Sequence, residues 1–288
     1  MNILRTPKAM TAWSRRLHRE GVTIGFVPTM GALHDGHRAL IRAARLQCDA
    51  LVVSIFVNPT QFAPTEDLAK YPRPIANDRA LCRAEGVDIC FEPPVKAMYP
   101  EGFETVVTAP GIAQRWEGEI RPHHFAGVAT VVTKLFGMVR PDVAVFGQKD
   151  FQQAALVRRV IEDLSLGITL IVHPTVREQD GLAMSSRNVY LSASDRALAP
   201  ILYKSLQAGA AAIKDGITLG RKIQAMMTQI LRREPTAAVD YLAVCNPDTL
   251  TPLKSVSDRA VLLGAIRIGS VRLIDNLLVK RPATRGRR

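Results

Sequence analysis

The chain has 288 residues, 47% of them hydrophobic, with 38 Lys and Arg against 26 Asp and Glu for a formal net charge of +12. It is long enough to bury one large core or two moderate ones, and two domains are expected; no apolar run nears the roughly 20 residues that span a bilayer and no signal-peptide pattern opens the chain, so a cytoplasmic location is expected. Cys48, Cys82, Cys90 and Cys245 are scattered, which argues against a zinc knuckle or disulfide scaffold, and the positive excess suits nucleotides, other anionic substrates or RNA.

In chain order, Met10, Trp13 and Leu17 recur at helical spacing and Gly21 supplies a stop, predicting an outer helix within residues 3–20 before the first core strand. Ile24, Phe26 and Val27 then form a β-prone run ended by Pro28. Gly31 and Gly36 permit a tight turn, and Leu40, Ile41, Ala44 and Leu46 take up helical spacing. Such a strand–turn–helix leaves backbone N–H groups unpaired at the positive end of a helix dipole, a setting for a triphosphate. His34 and His37 add imidazoles that can donate to phosphate oxygens and stabilise charge as an α-phosphorus is attacked. The same arrangement also occurs in α/β proteins that bind nothing there. A His-x-x-His pair could hold zinc too, although no Glu is interposed and no cysteine cluster accompanies it.

Residues 50–57, ALVVSIFV, read as a parallel strand covered on both faces. Asn58 and Gln61 follow at its C-terminal end, where ligands of open α/β sheets bind; amides there suit a substrate with hydroxyl and carboxylate groups, or else form a polar turn without a ligand. A helix stopped at Gly86, a strand after it and a further short strand at 104–110 continue the alternation. Residues 126–140 predict an apolar-rich helix, and 143–146 a buried strand leading into Gly147, Gln148, Lys149, Asp150 and another helix. Lys149 can set a point charge on phosphate and Asp150 can cap the helix or bond a ribose hydroxyl, or the two can be an exposed charged pair. Residues 168–176 read as the last strand of the first domain. In GLAMSSRNVYL, two serine hydroxyls and the Arg187 guanidinium match a polyphosphate, with a plain polar loop as the alternative.

Beyond this loop the pattern changes. Ser192 and Asp195 resemble a capping box opening a helix to about Lys214; a second helix ends before Pro235, and runs at 238–246, 260–269 and 271–279 read as strands of a small α+β domain. The tail KRPATRGRR from Lys280 reads as mobile and solvated. No aromatic-interleaved basic patch or RNA-binding motif accompanies it, so neither nucleic acid nor membrane is an expected partner.

PTMGALHDGH at 28–37, with FVNPTQF at 56–62, YPR at 71–73, RPHHFAGVATVV at 121–132, FGQKDFQQ at 146–153 and MSSRN at 184–188, resembles in order and spacing the blocks of the pantoate–β-alanine ligase (pantothenate synthetase) family. Its His-x-Gly-His element is shared with class I aminoacyl-tRNA synthetases and small nucleotidyltransferases. The blocks cover essentially the whole chain. The resemblance implies an α/β fold: a Rossmann-like parallel sheet flanked by helices over residues 1–185, binding nucleotide and pantoate, and a smaller C-terminal α+β lid domain over 186–288. It also implies pantoate, β-alanine and ATP with Mg²⁺ as reactants, a pantoyl-adenylate intermediate, and a homodimer formed through the N-terminal domain.

Carried onto this chain, ATP contacts fall on Met30, Gly31, Ala32, Leu33, His34, Asp35, Gly36 and His37, and on Gly147, Gln148, Lys149 and Asp150. They continue at Val176, whose backbone meets the adenine, and at Met184, Ser185, Ser186 and Arg187, the loop that stands for Lys-Met-Ser-Lys-Ser in class I synthetases. Gln61 and Gln153 hold pantoate, Gln61 also approaches β-alanine, and Asn58 is a further substrate-binding residue. Catalytic roles fall to His37, His34, Lys149 and Arg187, with His37 as proton donor or charge stabiliser, and no protein ligand is assigned to Mg²⁺. Arg121 and His124 are weaker candidates for ordering one wall. Gln148 and Phe151 stand where the family commonly has Glu and Tyr, which leaves no carboxylate or phenol at those positions. Two competing readings are a nucleotidyltransferase, which would retain AMP in its product, and a basic RNA-binding protein whose affinity survives loss of both histidines.

Overall fold

A computed structural model describes residues 1–282 except Thr65 and Asp67. The chain divides into two compact units: Met1–Gln148 with Gln152–Pro174, and Lys149–Phe151 with the chain from Thr175 onward. The first unit is built on six strands, β1 (Asn2–Leu4), β2 (Ile24–Thr29), β3 (Ala50–Ile55), β4 (Ile89–Phe91), β5 (Val143–Gly147) and β6 (Thr169–His173), in the order β1-β4-β3-β2-β5-β6. Every pairing is parallel, and the apolar runs of β2 and β3 are buried almost throughout, as a sheet covered on both faces requires. The chain steps outward from β2 through β3 to β4, then returns to the other side of β2 as β5 and β6. This reversal between β2 and β5 makes a topological switch point, and ligands of open α/β sheets bind beyond the C-terminal strand ends at such points.

Helices α1 (Pro7–Arg19), α2 (Asp35–Arg45), α3 (Ile75–Ala84), the four-residue α4 (Val95–Met98), α5 (Pro110–Ala113) and α6 (Glu117–Ile120), then α7 (His124–Val139) and α8 (Phe151–Asp163) connect and flank the strands. Thr6 caps α1 by accepting the Ala9 N–H, and Pro7 occupies the first turn, where no N–H is needed. Val27, Ile41, Ala44, Leu51, Val53 and Val145 form one core between β2, β3, β5 and α2.

The second unit is an antiparallel meander of β7 (Ala237–Cys245), β8 (Arg259–Ile268) and β9 (Val271–Lys280). Its helices are α9 (Ala193–Leu198), α10 (Ile201–Lys214) and α11 (Gly220–Leu231). Leu206, Ile213, Ile223, Met227, Leu262 and Ile266 form its core.

Several expectations change. Residues 3–20 begin with a strand, β1, paired to β4 before α1 opens. The 104–110 run is not a strand: Val106 is 62% exposed and the Val107 N–H bonds Thr130 Oγ1 of α7 at 2.9 Å, so β-prone residues without a partner edge remain irregular. Ser192 does accept the Asp195 N–H, but the helix it opens stops at Leu198, because Pro200 has no N–H to continue it. The units change over at Pro174–Thr175 rather than at 185/186. Residues 175–185 join the second because Arg177 bridges Ala183 and pairs with Asp275. Lys280 closes β9 and the Arg281 N–H bonds Asp258 O, so the tail begins later than Lys280; residues 283–288 lie outside the described residues. No helix among the described residues is long and apolar enough to cross a membrane.

Candidate active site

The turn from β2 into α2 is drawn tight by its own backbone donors. Thr29 Oγ1 donates to Ser54 O and accepts the Gly31 N–H at 3.1 Å. The Asp78 carboxylate, 1% exposed on α3, accepts Ala32 N–H at 2.9 Å and Leu33 N–H at 2.7 Å. Gly31 and Ala32 both have positive φ, +82° and +50°, and a Cβ on Gly31 would meet Asp78 Oδ2 at 2.9 Å. Burial raises the Asp78 carboxyl above its ordinary range, and the Leu33 and Ala32 N–H groups work against that rise.

The histidines complete the turn. His34 is the N-cap of α2 and its Nδ1 accepts the Gly36 N–H at 3.1 Å, while His37 Nδ1 accepts the His34 N–H at 3.3 Å, a reciprocal capping box made of two imidazoles. Their ring centroids lie 4.2 Å apart. The turn therefore differs from a row of unpaired amides: the N–H groups of Gly31, Ala32, Leu33, His34 and Gly36 already have partners.

A wall of amides stands at the C-terminal end of the neighbouring β3. Asn58, 1% exposed, donates to Gln61 Oε1 and Gly127 O and accepts from the Thr60 and Tyr99 hydroxyls. Its capacity is thus committed within the protein, and what it orients is Gln61, whose Nε2 reaches Met30 Sδ at 2.7 Å. Gly127 lets α7 approach closely, since a Cβ there would sit 2.4 Å from Thr60 O. Arg121 and His124 secure the same wall by donating to Gln61 O at 3.2 and 3.0 Å, and Arg121 also forms a two-point pair with Glu66. Burial, with the Arg121 charge, pushes His124 down to about 4, so at neutral pH it is an uncharged donor.

β5 ends at Gly147 and runs through Gln148–Asp150 into α8, where Gln153 is half-buried. Gln152 beside it serves structure, bonding Ile112 O and Arg115 O. Met30–His37, Asn58, Gln61, Gly147 and Gln148 therefore all follow the C-terminal ends of three adjacent parallel strands, β3, β2 and β5.

The remaining expected residues belong to the second unit. Lys149 pairs with Asp150 at 3.1 Å, and its carbonyl accepts from Asn276 of β9. Val176 O accepts the Met184 N–H, so two of the expected ATP contacts are neighbours across a short loop. Ser185 caps the following turn through Arg187 N. The loop is anchored by Arg177, which makes two hydrogen bonds to buried Asp275 and lies over the Tyr203 ring. Sequence reasoning missed Asp78, Thr29, Tyr99, Arg177 and Asp275. All except Thr29 act on partners far along the chain, so no local pattern marks them.

A sequence model of the Pantoate-beta-alanine ligase family matches residues 2–278. A pantothenate synthetase from Heliobacterium modesticaldum is 47% identical over 280 residues, covering 97% of this chain and 100% of that protein. The crystal structure of pantothenate synthetase from Thermus thermophilus superposes with a TM-score of 0.91 at 46% identity, covering 96% of this chain and 99% of that one. A pantoate-beta-alanine ligase from Francisella tularensis, complexed with beta-gamma ATP and beta-alanine, matches with a TM-score of 0.79 at 34% identity, covering 96% and 97%. With the site at the strand ends and these likenesses running through both units, the chain belongs to the pantoate–β-alanine ligase family, enzymes that join pantoate to β-alanine with ATP.

Proposed function

We propose that the chain carries out its ligation in two halves. A carboxylate oxygen of pantoate attacks the α-phosphorus of ATP, pyrophosphate leaves, and pantoyl adenylate forms; the amine of β-alanine then attacks the acyl carbon and AMP leaves. Activation turns a poor leaving group into a good one, so the enzyme's work is placement and charge stabilisation, without a covalent nucleophile. The observation that carries this reading is the shared location of the histidine turn, the amide wall and the end of β5 at a topological switch point.

On this reading the turn Met30–His37, with Gly147 and Gln148, receives the nucleotide, and His34 and His37 donate to its phosphates. Lys149, Ser185, Ser186 and Arg187 supply charge and hydroxyl donors to the triphosphate; Asp150, Val176 and Met184 complete the nucleotide contacts. Gln61 and Gln153 hold pantoate, Gln61 also meets β-alanine, and Asn58 orients Gln61. Magnesium arrives with ATP, where it neutralises charge on the triphosphate. A homodimer through the N-terminal domain, working in the cytoplasm, follows from the family resemblance and is checked by light scattering and cell fractionation.

The test is pantoate-dependent exchange of labelled pyrophosphate into ATP without β-alanine, with AMP and pantothenate appearing only when β-alanine is added. Exchange that ignores pantoate, or AMP retained in the product, would reject the two-half route.

A further inference from the structure

Asn188 follows directly on the Met184–Arg187 loop, and its side chain reaches back across the base of that loop. Its Nδ2 donates to Ala183 O at 3.1 Å and to Glu178 Oε1 at 3.3 Å. A carbonyl can only accept, and so can a carboxylate paired with an arginine, as Glu178 is with Arg196. The amide therefore has one orientation available, with its NH₂ toward these two partners and Oδ1 turned away. The Asn188 backbone N–H also donates to Ser185 O at 3.1 Å. One residue thus ties the two ends of the loop together, since Ala183 precedes it and Asn188 succeeds it.

The other side of the tie is itself held. Ala183 bridges Arg177, and the Glu178 N–H donates to Leu182 O at 2.8 Å, which closes residues 177–183 into a tight turn. Glu178 divides its carboxylate: Oε1 receives Asn188, while Oε2 receives Arg196 of α9 at 2.6 Å. The second branch of that guanidinium pairs with Asp180 of the same turn. A line of contacts runs from α9 through Arg196 and Glu178 to the Asn188 amide and the base of the loop.

The arrangement has a cost. Asn188 Oδ1 is buried and has no hydrogen-bond partner, a state that folded proteins avoid and that an apolar side chain would spare. What asparagine supplies in return is an NH₂ with two donors on a stem short enough to reach Ala183 O. Aspartate has the same shape but would set an oxygen against two acceptors.

We propose that Asn188 is a positioning residue for the nucleotide: its amide, braced by Glu178, closes the base of the 184–187 loop and holds Ser185, Ser186 and Arg187 in the geometry that receives the triphosphate. Asn188 itself touches no reacting atom. This deepens the ligase reading and rests on it for what the loop holds.

The test compares the full chain with Asn188→Ala, Asn188→Asp and the Asn188→Ala/Glu178→Ala double variant. In hydrogen–deuterium exchange, amides of residues 184–188 should exchange about tenfold faster in Asn188→Ala, the scale of one lost hydrogen bond, with the rest of the chain unchanged. The kcat/KM for ATP should fall by about tenfold and that of Asn188→Asp at least as far, while the KM for β-alanine, which enters after the adenylate forms, stays within about twofold. Because both residues serve one contact, the double variant should lose no more than about twofold beyond Asn188→Ala. Should Asn188→Ala fail to fold, Asn188→Ser, which keeps one donor, replaces it. Unchanged amide exchange in the loop, an undiminished kcat/KM for ATP, or losses that multiply in the double variant would each overturn the proposal. Pyrophosphate exchange that ignores pantoate in the unsubstituted chain would reject the ligase reading instead, and the amide exchange would still report whether Asn188 orders the loop.

Discussion

Asp78 and Leu33 stand 45 positions apart, yet the Asp78 carboxylate accepts the Leu33 N–H at 2.7 Å and, with its other oxygen, the Ala32 N–H. The turn from β2 into α2 is therefore shaped by α3 as well as by its own sequence. Asp78→Asn keeps the volume but turns an NH₂ toward a backbone N–H, leaving a buried donor unsatisfied. The expected cost is about 1–3 kcal/mol of stability, with pyrophosphate exchange reduced at least about tenfold through the misplaced histidines. Urea unfolding and the exchange assay check both; unchanged exchange would show that the clamp does not matter to the site.

Gly31 and Gly21 separate strain from clash. Both have positive φ, but a Cβ at Gly21 meets nothing within 4 Å, while one at Gly31 meets Asp78 Oδ2 at 2.9 Å and Ile55 Cγ2 at 3.0 Å. Gly21→Ala should cost about 1 kcal/mol and leave turnover intact; Gly31→Ala should cost about 1–3 kcal/mol and raise the KM for ATP. Thermal unfolding with steady-state kinetics distinguishes them.

His124 gives the fold a pH dependence of known sign. With its folded pKa lowered to about 4, it takes up a proton more readily unfolded than folded. Stability from this group is complete above the ordinary imidazole pKa of about 6.5 and declines as pH falls toward about 4, by about 2–3 kcal/mol in all. His124→Asn retains a donor near the Nδ1 position without the titration. Urea unfolding between pH 7 and about pH 4 should therefore fall less steeply in the variant than in the unsubstituted chain; parallel slopes would contradict this.

Arg177 and Asp275 form the anchor of the 176–187 loop. Asp275 is 6% exposed, so Arg177→Ala leaves a buried carboxylate without its cation at a cost of about 3–5 kcal/mol. Exchange should fall as well, because Val176 and Met184–Arg187 hang on this anchor. Calorimetry and the exchange assay report the two losses.

Truncation after Pro282 removes only residues outside the described structure and should leave turnover within about twofold. Truncation after Val279 also removes Arg281, whose N–H bonds Asp258 O, and Lys280, which pairs with Arg259 at the end of β9. That second truncation should destabilise the second unit. Melting temperatures of the two shortened chains make the comparison.

Features whose cause lies in adjacent residues were readable in advance. The β2–turn–α2 segment, the buried runs of β3 and β5 and the meander strands each announce themselves by local periodicity, and the site blocks follow their strand ends. What escaped depends on distant partners. Nothing near Asp78 says that it meets Ala32 and Leu33, and nothing near Arg177 points 98 positions onward to Asp275. The 104–110 run failed for the complementary reason, since β propensity has no effect where no strand edge is offered. Pro200 was visible in the sequence, and its missing N–H outweighed the favourable cap at Ser192.

Because the amides of Gly31, Ala32, Leu33, His34 and Gly36 are engaged inside the turn, the nucleotide binding proposed for it would depend on side chains more than on main chain. A glycine-rich phosphate loop binds through backbone N–H groups, which every residue except proline supplies. A turn that relies on imidazoles would lose its ligand a residue at a time, or be retuned toward a different anion by exchanging them for other donors, while the path of the chain stays as it is.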